Sequence, residues 1–262
     1  MADLQVRFDD GAAYERMIGT WSRIVGSIFL DWAALPPGLK CIDVGCGNGV
    51  FTELLIERCA PAEVHGVDPS EGQLAFARTR AAGRVAKFQR GDAQALAFPD
   101  NRFDAAIMAL VIVFVPDPAK GVAEMARVVR PGGTVAAYMW DQTAGGLPHA
   151  AFLTEIRAMG LPAGLPPNAE FSRLDAMREL WAGAGLIDIE TKIIAAERAY
   201  PGFEEMWQTS ILSGTMTQTV TAMSEAQREE LKARVRASFP PHADGQVITY
   251  GRANAVKGRV PK

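Results

Sequence analysis

The chain has 262 residues, 48% of them hydrophobic and 22% charged, a length and balance that suit one α/β domain carrying a cap better than two independent domains. Its formal net charge of −3 argues against a nucleic-acid partner, which usually requires a basic face. Cys41, Cys46 and Cys59 show no Cys-x-x-Cys spacing and leave an odd count, so reduced thiols are expected rather than a disulfide framework. Met1 to Gly11 is polar and acidic, unlike a signal peptide, and the longest apolar run, Ala105 to Val115, is too short to span a bilayer. A cytoplasmic location is therefore expected, without membrane insertion.

In chain order, Tyr14 to Leu35 carries Met17, Trp21, Ile24, Ile28 and Trp32 at spacings of three and four, which predicts a helix with one apolar stripe, ended by Pro36-Pro37-Gly38. Cys41 to Val44 reads as a strand, the glycines of Gly45-Cys46-Gly47-Asn48-Gly49 as a turn, and Val50 to Arg58 as a helix. Glu63 to Val67 is a second strand, and Ser70 with Gln73 three residues on predicts a capped helix start. Val85 to Gln89 makes a third strand. Phe103 to about Val113 makes a fourth, apolar enough to be buried on both faces. Asp117-Pro118 opens a helix that ends before Pro131-Gly132-Gly133, and Thr134 to Trp140 is a fifth strand.

Strand and helix alternating five times predicts a parallel sheet with right-handed crossovers and a ligand crevice at the carboxyl ends of its strands. Farther on, helices are expected near Pro148–Met159, Leu174–Ala184, Phe203–Leu212 and Ser224–Ser238, with Gly160–Asn168 as a loop. Leu186–Glu197 and Gln246–Lys257 read as the last strands. The fold class expected is α/β, Rossmann-like: a mostly parallel seven-stranded sheet, helices on both faces, an antiparallel last strand and helical cap elements.

The chemistry is concentrated at strand ends. Glycines after the first strand allow a tight turn and close backbone approach to a ligand, and the following helix points its amino-terminal N–H groups at the same place. Asp68 ends the second strand, where a carboxylate is placed to accept hydrogen bonds from two ribose hydroxyls; the competing role of helix cap can be filled by Ser70. Asp92, just past the third strand, is suited either to an adenine amino group or to an ordinary turn. Acids at the ends of three consecutive strands are unlikely to be accidental.

Together, Asp43-Val44-Gly45-Cys46-Gly47-Asn48-Gly49, Gly66-Val67-Asp68-Pro69-Ser70, Gly91-Asp92-Ala93-Gln94-Ala95-Leu96-Ala97-Phe98-Pro99 and Arg127-Val128-Val129-Arg130-Pro131-Gly132-Gly133 resemble the class I S-adenosylmethionine-dependent methyltransferases. Within that class they are most similar to the small-molecule type acting in ubiquinone biosynthesis and on sterol carbon. The resemblance covers Tyr14 to Trp140 and fades through the cap. It implies that Asp43 and Gly45, Cys46, Gly47, Asn48 and Gly49 hold the methionine part of S-adenosylmethionine. Asp68 and Pro69 would meet the ribose, Asp92 and Ala93 the adenine edge, and Leu110 would line the cofactor. Asn48 stands where many relatives carry Thr or Ser, and keeps a small polar side chain. Residues 1–38 resemble a helical lid over a methyltransferase domain of residues 39–262, with cap insertions about 141–170 and 200–240. Tyr14 and Trp21 are candidate lid contacts, Trp21 equally a member of the lid's apolar stripe.

A sulfonium methyl is already electrophilic, so such an enzyme mainly aligns the reactants and excludes water, and needs a base only if the acceptor must lose a proton. Catalytic residues are correspondingly hard to see. His149, after the fifth strand, is the one candidate base, against the reading of an exposed loop histidine. Asp141 is suited either to a metal or substrate or, as an isolated acid after a strand, to a turn or cap; His65 reads as structural, His242 lies in a Pro-Pro-His loop, and no spacing points to a metal. Trp140, Phe152, Met159, Phe171, Met206 and Trp207 would either wall an apolar acceptor pocket or form plain core. The expected partner is a small-molecule methyl acceptor. Asn/Asp-Pro-Pro-aromatic and Pro-Cys sequences, associated with nucleobase methylation, do not occur.

Two other functions fit parts of the pattern. A nicotinamide-dependent oxidoreductase also uses a glycine turn and an acid, but its third glycine falls three residues after the second, whereas Gly49 follows Gly47 by two. A non-catalytic S-adenosylmethionine-binding regulator would share the cofactor site and lack only the acceptor site.

Overall fold

Short β-branched and apolar runs punctuated by glycine and proline build the central sheet. The computed structural model describes residues 19–211, 214–240, 242 and 244–262. Its first strands are β1 (Lys40–Val44), β2 (Glu63–Asp68), β3 (Lys87–Arg90), β4 (Phe103–Ala109) and β5 (Val129–Trp140), all parallel. They are followed by β6 (Ile187–Tyr200) and β7 (Val247–Arg259), and the sheet order is β3-β2-β1-β4-β5-β7-β6. β7 runs antiparallel to both β5 and β6, as expected of the last strand. The order reverses between β1 and β4, so the ligand crevice of such a sheet opens above β1, β2 and β4.

Nine helices are present among the described residues: α1 (Thr20–Ala33), α2 (Val50–Cys59), α3 (Glu71–Thr79), α4 (Pro118–Val128), α5 (Ala150–Ala158), α6 (Leu174–Gly183), α7 (Phe203–Ser210), α8 (Gly214–Ala222) and α9 (Glu225–Ser238). Their starts follow local chemistry. Ser70 accepts a hydrogen bond from the Gln73 amide, Asp117 accepts one from Lys120 with Pro118 in the first turn, and Ser224 and Gln227 form a reciprocal capping box.

Helices cover both faces. Lys257 Nζ donates to the Trp32 carbonyl of α1, while the neighbouring Gly258 lies against Trp181 of α6; adjacent strand residues point to opposite faces, so α1 and α6 do too. Trp181 is wholly buried and satisfies its indole N–H on the Val135 carbonyl at 2.9 Å. The large core lies on both sides of β1, β4 and β5. A second, smaller core joins α5, α7, α8 and α9 to the ends of β6 and β7, through Phe152, Tyr200, Phe203, Met206, Trp207 and Val247 among others. No described helix is long and apolar enough to cross a membrane.

Several boundaries differ from those read in the sequence. β4 stops at Ala109 rather than about Val113, because Leu110 turns into the left-handed region at φ 61° and Ile112–Phe114 forms a short 3-10 turn. β5 begins at Val129, ahead of Thr134, and a register shift at Phe103/Ala105 absorbs Pro131-Gly132-Gly133. β3 omits Val85, which ends a 3-10 turn and is exposed. β6 and β7 run longer than expected, since each completes the other's ladder. The sequence does not predict α8: Gly-Thr-Met-Thr-Gln-Thr-Val-Thr-Ala is rich in poor helix formers, and Met216 and Val220 are buried against the smaller core.

Candidate functional site

The turn between β1 and α2 has its backbone set by glycine. Gly45, Gly47 and Gly49 have φ of 77°, 52° and 81°, a region open to glycine and costly for other residues. Gly45 is held twice over, because a Cβ there would lie 2.5 Å from Val111 Cγ2. Above Gly47 a Cβ would meet nothing within 4 Å, so this backbone faces open space. Gly45 N and Cys46 N both donate to the Val67 carbonyl, tying the turn to the end of β2.

Asp43 and Asp68 flank this turn. Asp43 is fully buried on β1; its Oδ2 accepts from Thr52 Oγ1 at 2.6 Å, and its Oδ1 has no partner. Burial pushes its carboxyl up to about 7, opposed by the Thr52 hydroxyl and reinforced by the Asp68 charge. Asp68, at the tip of β2, accepts from Gly47 N at 2.9 Å through Oδ2 and from Ser70 N at 2.8 Å through Oδ1. Burial raises its carboxyl too, while those two amides pull it down. A carboxylate offers about four lone-pair positions, so two amides leave acceptor capacity on both oxygens.

The other candidates take their places around this pair. Asn48 is buried and its Oδ1 accepts from Val50 N at 3.3 Å, closing the first turn of α2. Leu110, at the end of β4, is kept left-handed while its N–H donates to the Tyr138 carbonyl at 2.8 Å. Asp92 is exposed and caps its own turn, accepting from Gln94 N at 2.8 Å, with Ala93 beside it. Arg127 holds the segment that follows: its guanidinium donates to the carbonyls of Leu96 and Phe98 and to Glu124 and Asp100, and Glu124 takes the Leu96 N–H. Trp21 is buried and stands edge-on to Trp140 at 5.8 Å, which brings α1 to the carboxyl edge of the sheet. Tyr14 lies outside the described residues.

Thr52, Val111 and Phe88 belong to the site although no sequence pattern marked them. Phe88 closes on Gly66, where a Cβ would come within 2.5 Å of its ring. A hydroxyl on α2 facing a β1 carboxylate is a tertiary pairing, and no local spacing announces it.

Beyond β5 the picture is mixed. His149 is half-buried just before α5, and burial pushes its imidazole down to about 4, keeping it neutral. Asp141 is a turn residue paired with Arg252 at 2.8 Å, and it accepts from Ala144 N. His65 packs between Phe98 and Phe103 and contacts Glu63 at 2.9 Å, a structural role. The six apolar residues that fit either a pocket wall or plain core divide between the two cores. Trp140 and Phe171 belong to the large core, whereas Phe152, Met159, Met206 and Trp207 belong to the smaller one, with Phe152 and Trp207 stacked at 5.4 Å. A cavity of about 400 Å³ lies beside α5, lined by Gln142, Thr143, Leu147, Leu153 and Arg157 among others. Groups of three acids, histidines or cysteines able to hold a metal ion are absent among the described residues.

Residues 42–137, from β1 to β5, match the model of a methyltransferase domain family. The chain is 32% identical to a trans-aconitate 2-methyltransferase of Methylobacterium nodulans, over 80% of this chain and 82% of that protein. It belongs to the S-adenosylmethionine-dependent methyltransferase family. A 2-phytyl-1,4-naphtoquinone methyltransferase of Synechococcus elongatus is 31% identical over 61% of this chain and 70% of its own length. An uncharacterized protein of Mycobacterium tuberculosis is 32% identical, but the match spans only 54% of that protein, about half its length. Among solved structures, a Haemonchus contortus phosphoethanolamine N-methyltransferase in complex with S-adenosyl-L-methionine superposes with a TM-score of 0.61 at 21% identity, over 99% of this chain and 59% of that one. That likeness is one of fold.

The residues present fit the family's cofactor. The orphaned Asp43 Oδ1, the spare lone pairs of Asp68 and the open space above Gly47 are the features a cationic amino acid joined to a ribose would occupy.

Proposed function

We propose that this chain transfers the methyl group of S-adenosylmethionine to a small-molecule acceptor. The observation that carries the reading is the coupling of the glycine turn to Asp68 through the Gly47 amide, with Asp43 buried beside it. When bound, the cofactor supplies an electrophilic sulfonium methyl. The protein's part is to hold and orient. In this reading Asp43, Gly45, Cys46, Gly47, Asn48 and Gly49 receive the methionine end. Asp68 and Pro69 take the ribose, Asp92 and Ala93 the adenine edge, and Leu110 packs along the cofactor.

Thr52 restrains Asp43 so that its free oxygen points one way. In this reading α1 belongs to a lid, residues 1–38, over the domain of residues 39–262, with Trp21 anchored against Trp140. Insertions about 141–170 and 200–240 form the cap on the acceptor side, in keeping with the separate core that unites them. His149, at the start of α5, is the candidate base. Its imidazole, neutral down to about 4, would accept a proton only weakly, and alignment with water exclusion carries most of the rate. The relatives named for trans-aconitate and a phytyl naphthoquinone support a small-molecule acceptor. Buried thiols at Cys41, Cys46 and Cys59, with Cys41 pushed up to about 12 by burial, suit a reducing, cytoplasmic setting.

Calorimetric titration tests the reading. S-adenosylmethionine and S-adenosylhomocysteine are expected to bind with micromolar affinity, roughly −7 to −9 kcal/mol, and NAD⁺ not at all. Binding of NAD⁺ alone, or of none of the three, would overturn it.

A further inference from the structure

β6 and β7 overrun the carboxyl edge of the sheet. Trp140, the last residue of β5, pairs with Ala253, and Ala253 pairs with Ile194. The segments beyond, 195–200 of β6 and 247–252 of β7, therefore project past the edge on which the ligand turns lie. Arg198 sits on this overhang, sharing a face with Ile194 and Tyr200 by strand alternation.

Its surroundings are unusual for a cation. The guanidinium lies over the Tyr200 ring at 4.4 Å, yet Nη1 is shut off from solvent and has no hydrogen-bond partner. Arg198 forms no ion pair with a carboxylate among the described residues, in contrast to Arg252 on the neighbouring strand, which is held by Asp141 at 2.8 Å. Glu205 acts on the Tyr200 hydroxyl but is itself exposed. The walls are largely aromatic and carry no counter-charge: Tyr200 is buried, Trp21 and Thr249 adjoin its hydroxyl, and Trp21 leans on Trp140. A buried donor on a charged group costs free energy unless a partner satisfies it, and such groups persist where a ligand brings that partner.

We propose that Arg198 binds a carboxylate of the methyl acceptor, which makes that acceptor a small organic acid. This rests on the methyltransferase reading and extends it to the substrate class. A guanidinium among aromatic walls matches a planar carboxylate, taken through two parallel N–H donors with the rest of the acceptor laid against the rings, better than a tetrahedral phosphate. The strand bearing Arg198 lies three strand spacings from β4, about 14 Å across the sheet, and Arg198 itself stands beyond the sheet edge, so it grips the end of the acceptor remote from the reacting atom and sets position and specificity.

The test titrates the full chain, saturated with S-adenosylhomocysteine, with trans-aconitate, benzoate and inorganic phosphate, then repeats this with Arg198→Gln and Arg198→Lys. Affinity for S-adenosylhomocysteine is measured on each protein, so that a fault in the methyltransferase reading is seen separately. At least one carboxylate is expected to bind saturably, to weaken about tenfold or more in Arg198→Gln, and to recover in part in Arg198→Lys, with cofactor affinity unchanged. Equal carboxylate binding by wild type and Arg198→Gln, binding of phosphate in preference, or no binding of either carboxylate would overturn the proposal. So would a marked fall in the melting temperature of ligand-free Arg198→Gln, which would make the residue structural.

Discussion

The stretch from β1 to β4 and the cap behind β5 are both well packed, but they are held in shape by different means. Around the Gly45–Gly49 turn the backbone itself makes the surface: three positive-φ glycines, amides bonded to the Val67 carbonyl and to Asp68, and no room for a Cβ at Gly45 or Gly66. In the cap, side chains hold the shape, with Phe203 and Phe152 stacked on Trp207 and Met206 buried in the same cluster. A backbone-built surface admits few alternative residues. A side-chain core admits many, provided volume is conserved. The lesson is that the glycine-turn side of this molecule is constrained residue by residue, and the cap only in bulk.

The largest effect should come from breaking the cap. Trp207→Ala removes a buried indole and is expected to cost about 3–5 kcal/mol, whereas Trp207→Phe should cost much less. Denaturant unfolding with parallel calorimetry would show whether the cap unfolds alone, leaving cofactor affinity intact, or drags the sheet with it. On the other side, Gly45→Ala meets both an unfavourable φ and the Val111 side chain, for about 2–4 kcal/mol, and cofactor binding should be lost along with stability. Cofactor affinity that survives Gly45→Ala would break the contrast between the two regions.

Asp68→Ala should weaken S-adenosylmethionine binding about tenfold or more, since hydrogen bonds to a charged group contribute roughly 1.5–3 kcal/mol. Part of the loss would be indirect, through release of Gly47 and Ser70.

The smallest effect is a pH dependence. Asp43 ionises near pH 4 in an unfolded chain but keeps its proton in the fold up to about 7, so the folded state binds more protons between these values. Stability should therefore fall as pH rises across that window. A cationic cofactor favours the carboxylate, so its affinity should rise with pH toward 7, by at most about tenfold per unit, with release of a proton. Asp43→Asn should flatten both trends, in thermal melts and in calorimetry run in buffers of different ionisation enthalpy.

The same contrast explains what could be read from residues alone. Strand alternation, the glycine turn and the acids at strand ends are local signals, and they led to the parallel sheet and to Asp68 at the end of its second strand, whereas the Gly47 amide on Asp68 is a contact between elements. Thr52 on Asp43 and Phe88 on Gly66 are contacts between elements, with no mark in the local pattern. Threonines mask the helical propensity of α8, and nothing in Ala109-Leu110-Val111 reveals the left-handed leucine that ends β4. In the cap, aromatic residues at helical spacing fit a pocket wall as well as a core, and the partition of Trp140 from Trp207 arises only from how the chain folds back.

The place of β7 in the sheet has a consequence for how the molecule forms. β6 is made first, yet its one sheet neighbour is β7, which also supplies the far border of β5. Until β7 emerges from the ribosome, β5 is an open edge and β6 has nothing to pair with, so the nascent chain carries two unsatisfied strands through synthesis of α7, α8 and α9. Pairing over such sequence separation is slow to close, so the overhang bearing Arg198 is among the last parts to take shape.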